Sequence, residues 1–166
     1  MATIQDTAGT THDEAQLRYL RAADLAQQRQ YAEAENEFIA ALNMNPAMHT
    51  ARFQLGLLQL TNANVAAARM TWSPLLDPEV PIELQHFVRG LDALIHDDFD
   101  TAIAHLQTGI SLNQSNAPLN KDMNMVIGKI RLALDTPKPA DTTQTSPDNA
   151  INKTERTDFS LYGKKY

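Results

Sequence analysis

The chain has 166 residues, of which 43% are apolar and 6% aromatic, and its net charge of −6 corresponds to a sequence pI near 5.2. This apolar fraction supports a packed core, and the few glycines and aromatics argue against a β-sandwich or barrel. An acidic chain lacks the basic face that phosphate binding needs, which excludes nucleic acid as the main partner.

Cysteine is absent, which excludes disulfides, thiol catalysis and thiolate metal sites. Residues 1–12 have neither a basic start nor an apolar run, so we expect no signal peptide. No stretch approaches the roughly 18 apolar residues that a membrane span needs. The expected protein is cytoplasmic, contacts no membrane, and begins with a disordered segment over residues 1–12.

From Ala15 onward the sequence repeats every 34 residues, with rows that start at Ala15, His49 and Glu83. When the three rows are aligned, residues of the same type recur at equivalent positions, which we call columns. The columns are Ala22, Gly56 and Gly90; Tyr31, Val65 and Phe99; Ala34, Ala68 and Ala102; Phe38, Trp72 and Leu106; and Leu42, Leu76 and Ile110. Within each row they follow the three-and-four spacing of one helix face. The pattern predicts an all-α solenoid of three two-helix units, over about 15–48, 49–82 and 83–116.

These columns resemble the tetratricopeptide repeat family, whose pattern of W-x2-L-G-x2-Y, A-x3-F and P extends over about 34 residues. The matching residues are Leu55-Gly56 for the first block, Ala34 with Phe38 and Ala68 with Trp72 for the second, and Pro46 for the third. The departures are Arg18, Arg52 and His86 where an aromatic is usual, and Val80 and Gln114 where proline is usual. The resemblance covers about 15–116 and implies an α-α superhelix that binds proteins.

Two further elements follow from the positions of prolines. Pro74 falls inside the second helix of unit two, where it would cost about 3 kcal/mol, so we expect a kink or an early stop near Ser73. Pro118 suits the first turn of a helix, and an apolar stripe follows it. We expect a capping helix over residues 118–134 that closes the stack.

The remaining chain has two parts of different composition. Residues 135–150 are rich in proline, threonine and aspartate and read as a disordered linker. Residues 151–166 form an aromatic-basic segment, with a possible motif of Phe159, Leu161, Tyr162, Lys164 and Lys165. This segment is a docking motif, an autoinhibitory peptide for the chain's own groove, or a tail without function.

The densest group of ligand-type residues is His96-Asp97-Asp98-Phe99-Asp100. Its position at the turn of unit three assigns Asp98 to capping the next helix rather than to holding a metal. No phosphate loop, dinucleotide fingerprint or nucleophile elbow is present. We therefore expect no metal, no cofactor and no catalytic residue, and a protein that is not an enzyme.

A second apolar stripe runs along the first helix of each unit. In the tetratricopeptide repeat family these slots line the concave groove, so the resemblance implies a partner-binding groove made of Tyr19, Ala23, Phe53, Leu57, Leu60, Phe87, Leu91 and Leu94. The predicted function is an adaptor, scaffold or partner-specific chaperone that binds a segment of another protein. The alternative is a self-associating structural protein whose groove is filled by its own capping helix, its tail or another protomer, so a homo-oligomer stays open.

One function known in the family is excluded by the residues at the groove. The members that hold acidic chaperone tails use lysine, asparagine and arginine at positions where this chain has Tyr19, Ala23, Gln54, Leu84 and Val88. An apolar groove is more similar to that of the three-repeat bacterial secretion chaperones. Those proteins carry an extra first helix, however, for which residues 1–12 are short and polar.

Overall fold

The computed structural model describes residues 4–135, and the surroundings of side chains from Thr11 onward. These residues form seven α-helices and one 3-10 turn, and no strand occurs among them. The helices are α1 (Ile4–Gln27), α2 (Tyr31–Met44), α3 (His49–Thr61), α4 (Val65–Trp72), α5 (Ile82–Ile95), α6 (Phe99–Leu112) and α7 (Ala117–Asp135). The predicted all-α fold is confirmed.

The helices pack in the order of the chain. Within the units, α1 packs against α2, α3 against α4, and α5 against α6. Between the units, α2 packs against α3, α4 against α5, and α6 against α7. A stack in which each unit contacts only its neighbours is a solenoid, and α7 occupies its C-terminal end.

Close packing within a unit depends on the column of small residues. A Cβ atom added at Gly56 would overlap the indole of Trp72, with Cδ1 2.6 Å away. One added at Gly90 would lie 2.8 Å from Cγ of Leu106. The column of small residues therefore makes room for the column of large residues on the second helix of the same unit.

The turn between the two helices of each unit also follows the 34-residue register. Arg29, Ala63 and Asp97 have φ values of 64°, 60° and 59°. Left-handed backbone reverses the chain in the same way three times, although none of the three residues is glycine. The next residue caps the second helix in units two and three, where Asn64 accepts from the Ala67 amide and Asp98 from the Thr101 amide, each at 3.2 Å. The predicted capping role of Asp98 is confirmed.

Pro74 has the effect expected from the sequence. The helix α4 ends at Trp72 and the chain continues as a 3-10 turn, Ser73–Leu76. Beyond it, Gln85 holds the connecting segment, because its Nε2 donates to the carbonyls of Asp77 and Val80 at 3.1 and 3.0 Å. As a result α4 has 8 residues whereas α2 and α6 have 14.

The two ends of the described chain differ in part from expectation. Helix α1 begins at Ile4, although residues 1–12 were expected to be disordered. A polar segment without apolar periodicity extends an existing helix at little cost, because elongation needs no new nucleus. At the other end α7 buries Leu119, Met123, Val126, Ile127 and Ile130, while Leu134 is exposed.

Pairs of polar side chains join the two helices of unit one and of unit three. Arg18 Nη1 donates to Glu37 Oε2 at 3.1 Å, and the Nδ1 atoms of His86 and His105 lie 3.0 Å apart. Both pairs join the first helix of a unit to its second helix with a separation of 19 residues. Arg52, at the equivalent position of unit two, donates instead to the backbone carbonyl of Pro46 at 3.2 Å.

Candidate functional site

Most of the predicted groove residues lie in the core. Five of the eight are buried with at most 5% of the side chain exposed, and these are Phe53, Leu57, Phe87, Leu91 and Leu94. The ring of Phe53 lies between those of Trp72 and Phe87, with centroid distances of 5.9 and 5.8 Å. Side chains so enclosed present no surface to a partner, so their assignment to an open groove is corrected.

The apolar face of α3 and α5 is covered by the chain itself. Its residues belong to one cluster with Trp72 and Leu75 and with the five buried residues of α7. The side chains of this face are therefore buried within the core of the described chain. A helix that is apolar on two faces is buried on both, and here both neighbours belong to the same chain.

The other three predicted residues, Tyr19, Ala23 and Leu60, are half-buried. The ring of Tyr19 lies 6.2 Å from that of Phe38. Burial raises the pKa of the Tyr19 hydroxyl, and a hydrogen bond with the Gln54 side chain acts in the opposite direction. Gln54 Oε1 is buried and has no hydrogen-bond partner among the described residues.

Tyr19 also lines an open cleft of about 440 Å³, which we call the first cleft. The cleft runs along the N-terminal ends of α3, α5 and α7 and the adjoining part of α1, so it touches all three units and the capping helix. Its lining mixes polar and apolar side chains and includes Gln16, Tyr19, His49, Thr50, Glu83, Leu84, Asn116 and Leu119. A cleft that spans four helices fits an extended segment of chain better than a compact small molecule.

The sequence held a signal for this cleft that the groove prediction did not use. Gln16, Thr50 and Leu84 stand one residue after the three row starts, and all three line the cleft. These three residues differ in chemical character, so a search for hydrophobic periodicity does not detect their column. The column can be recognised only by its position in the 34-residue register, one residue after each row start.

A second cleft, also of about 440 Å³, lies between α4 with its 3-10 turn and helices α5 and α6. Its exposed apolar surface comes from Leu76, because Trp72 and Val88 also line the cleft but are at most 4% exposed. Arg69, Arg89 and His105 provide polar groups. None of its lining residues belongs to the first cleft.

Other predicted features have the following places. The group around His96 forms the turn of unit three, and the described part of the chain contains no group of three potential ligand side chains placed to hold a metal ion. Among the helices of residues 4–135, none combines the length and apolarity required to cross a bilayer. The possible motif at residues 159–165 and the linker over residues 136–150 lie outside the described residues.

Comparison with known proteins supports the repeat assignment. A family model described as tetratricopeptide repeat matches residues 19–72, which covers most of unit one and two thirds of unit two. No curated protein and no solved structure matches the chain. The family match supports the resemblance over residues 19–72 and does not extend to unit three.

Proposed function

We propose that this chain, whose residues 19–72 match a family model described as tetratricopeptide repeat, holds an extended segment of another protein in the first cleft. In that role it serves as an adaptor, a scaffold or a partner-specific chaperone, and it is not an enzyme. The proposal includes a cytoplasmic location and a protein rather than a nucleic acid as partner.

The observation that carries this proposal is the extent of the first cleft. Its lining comes from all three units and from the start of α7. Side chains such as Gln16, Thr50 and Asn116 offer hydrogen bonds, and the half-buried Tyr19 offers apolar contact. A mixed surface of this kind favours a modest, exchangeable complex, because association costs about 4–15 kcal/mol before any net affinity appears.

The test fills the cleft from its two ends without disturbing the core. Ala47 and Ser115 are exposed loop residues of the lining, so Ala47→Trp/Ser115→Trp places two indoles in the cleft. The matched control is Ala32→Trp/Ala66→Trp, which adds the same two side chains at exposed positions of α2 and α4. We expect quantitative affinity capture from the source cell to lose specific proteins with the first variant and to retain them with the control. Retention of all captured proteins by both variants would remove the first cleft as the binding surface.

A second candidate function is self-association. Leu17 and Leu20 on α1 are 66% and 53% exposed. Analytical ultracentrifugation of the intact chain and of Leu17→Glu/Leu20→Glu separates the candidates. If the intact chain is a dimer that dissociates in the variant, self-association is supported. If both proteins are monomers, binding of another protein in the first cleft is the candidate that stands.

A further inference from the structure

The second cleft exists because α4 stops early. Pro74 ends the helix at Trp72, so the second helix of unit two lacks the length of its counterparts α2 and α6. The exposed side chain of Leu76 lines the resulting space, whereas Trp72 and Val88 border it from the core and are almost fully buried. The cleft therefore offers apolar surface at a break in the repeat pattern.

The charged groups of this cleft have the opposite sign to the chain as a whole. The chain has a net charge of −6, whereas the charged groups that line the cleft are two arginines, Arg69 and Arg89, and a single acid, Asp92. Arg89 donates through Nη2 to the neutral Gln85 Oε1 at 3.2 Å and forms no ion pair among the described residues. Its positive charge is therefore available to a ligand.

The guanidinium group of Arg69 is only partly engaged by its neighbour Asp92. Its Nε lies 3.0 Å from Asp92 Oδ1 in an ion pair, and its Nη atoms have no hydrogen-bond partner within residues 4–135. The two side chains are 53% and 40% exposed, so solvent weakens the pair. An incoming carboxylate would reach the two Nη atoms in the bidentate geometry that arginine favours.

We propose that the second cleft binds an acidic segment of a partner protein that carries apolar side chains between its carboxylates. The carboxylates pair with Arg69 and Arg89, and an apolar side chain packs on Leu76, which is 43% exposed. Charge complementarity selects this occupant, because a second copy of the same acidic chain would be repelled as a whole. The inference goes beyond the proposed function, since it concerns a separate surface and another class of segment.

The probe is a short fluorescein-labelled peptide of repeated Glu-Leu-Asp-Phe units, measured by fluorescence anisotropy with the full chain. Its counterpart with Gln and Asn in place of Glu and Asp tests the charge, and an unlabelled single-stranded RNA oligonucleotide tests for non-specific attraction of polyanions. Arg89→Gln and Arg69→Gln each remove one charge from the cleft. Arg131→Gln removes an exposed charge from α7 as the matched control.

We expect the acidic peptide to bind and each cleft substitution to weaken it about ten-fold, while Arg131→Gln leaves its Kd unchanged. The neutral peptide binds more weakly, added salt weakens the acidic peptide, and the RNA does not displace it. Equal binding of the neutral peptide, equal effects of all three arginine substitutions, or displacement by RNA would each overturn the proposal. Ala47→Trp/Ser115→Trp should not alter this binding, so failure here is distinguishable from failure of the first cleft.

Discussion

The indole of Trp72 is tied to the residue that its ring packs against. Its Nε1 donates to the backbone carbonyl of Phe53 at 2.9 Å, and the two rings stack with an interplanar angle of 22°. The bond satisfies an indole N–H that is fully buried and joins α4 to α3. Phe53 is thereby fixed as a centre of the core of unit two.

The space that Trp72 occupies depends on Gly56. We expect Gly56→Ala to lower the free energy of unfolding by about 1–3 kcal/mol, because the added methyl group overlaps the indole. Gly128→Ala on α7 is the matched control, since a Cβ there meets nothing within 4 Å. Removing an exposed helical glycine should raise stability by about 1 kcal/mol. Urea unfolding followed by circular dichroism measures both, and two changes of the same sign would contradict this packing.

The left-handed turn at Ala63 is a place where the chain is strained. A Cβ atom at a φ of 60° costs about 1–2 kcal/mol, and glycine avoids that cost while adding about 0.5–1 kcal/mol of unfolded-state entropy. Ala63→Gly should therefore raise the free energy of unfolding by about 0.5–1 kcal/mol. Ala104→Gly, at an exposed position within α6, should lower it by about 1 kcal/mol. If both substitutions destabilise the protein equally, the turn is not left-handed at Ala63.

The contact between His86 and His105 predicts a dependence of stability on pH. Burial, then His105, then Arg89 lower the pKa of His86 below its ordinary value of 6.5. The unfolded chain therefore takes up a proton at a higher pH than the folded chain does, and the free energy of unfolding falls as the pH decreases below about 6.5. The decline levels off once the pH passes the pKa of the folded state. Urea unfolding between about pH 7 and 5 should show a flatter profile for His86→Gln, and identical profiles would contradict the assignment.

Asp122 on α7 is an acid in an unfavourable place. Burial raises the pKa of its carboxyl group above 3.8, against the opposing effect of Lys121. Because the unfolded chain ionises this group more readily, the free energy of unfolding falls as the pH rises above about 4, and the loss persists at neutral pH. Asp122→Asn should therefore raise Tm at neutral pH, whereas Asp135→Asn at the exposed end of the same helix should not. A Tm that drops in Asp122→Asn would mean that the carboxylate has a stabilising partner.

The repeat columns were predictable because each expresses a local rule. Ala34, Ala68 and Ala102 recur at helical spacing beside large residues, and the structure buries all three. The spacing of Phe53 and Leu57 also showed a second apolar face on α3. What covers that face depends on distant elements, and a helical pattern carries no information on whether α5 or a partner lies against it.

The two clefts could not be predicted from sequence patterns, for a related reason. The first cleft takes its lining from loops and helix ends of different units, such as Ala47, Pro81 and Ser115. The second depends on how far α4 is shortened by Pro74, and the sequence indicated only that a break occurs there. Concave surfaces between elements follow from the packing of the whole stack.

The most direct test of the central claim is site-specific photo-cross-linking in the source cell, with a photoreactive phenylalanine analogue at Thr50 in the first cleft. The control position is Ala32, which is exposed on α2 and does not line the first cleft. The account predicts adducts with one or a few other proteins from position 50 and none of these from position 32. Adducts that are the same at both positions, or that form at position 32 alone, would contradict the claim that the first cleft holds a partner.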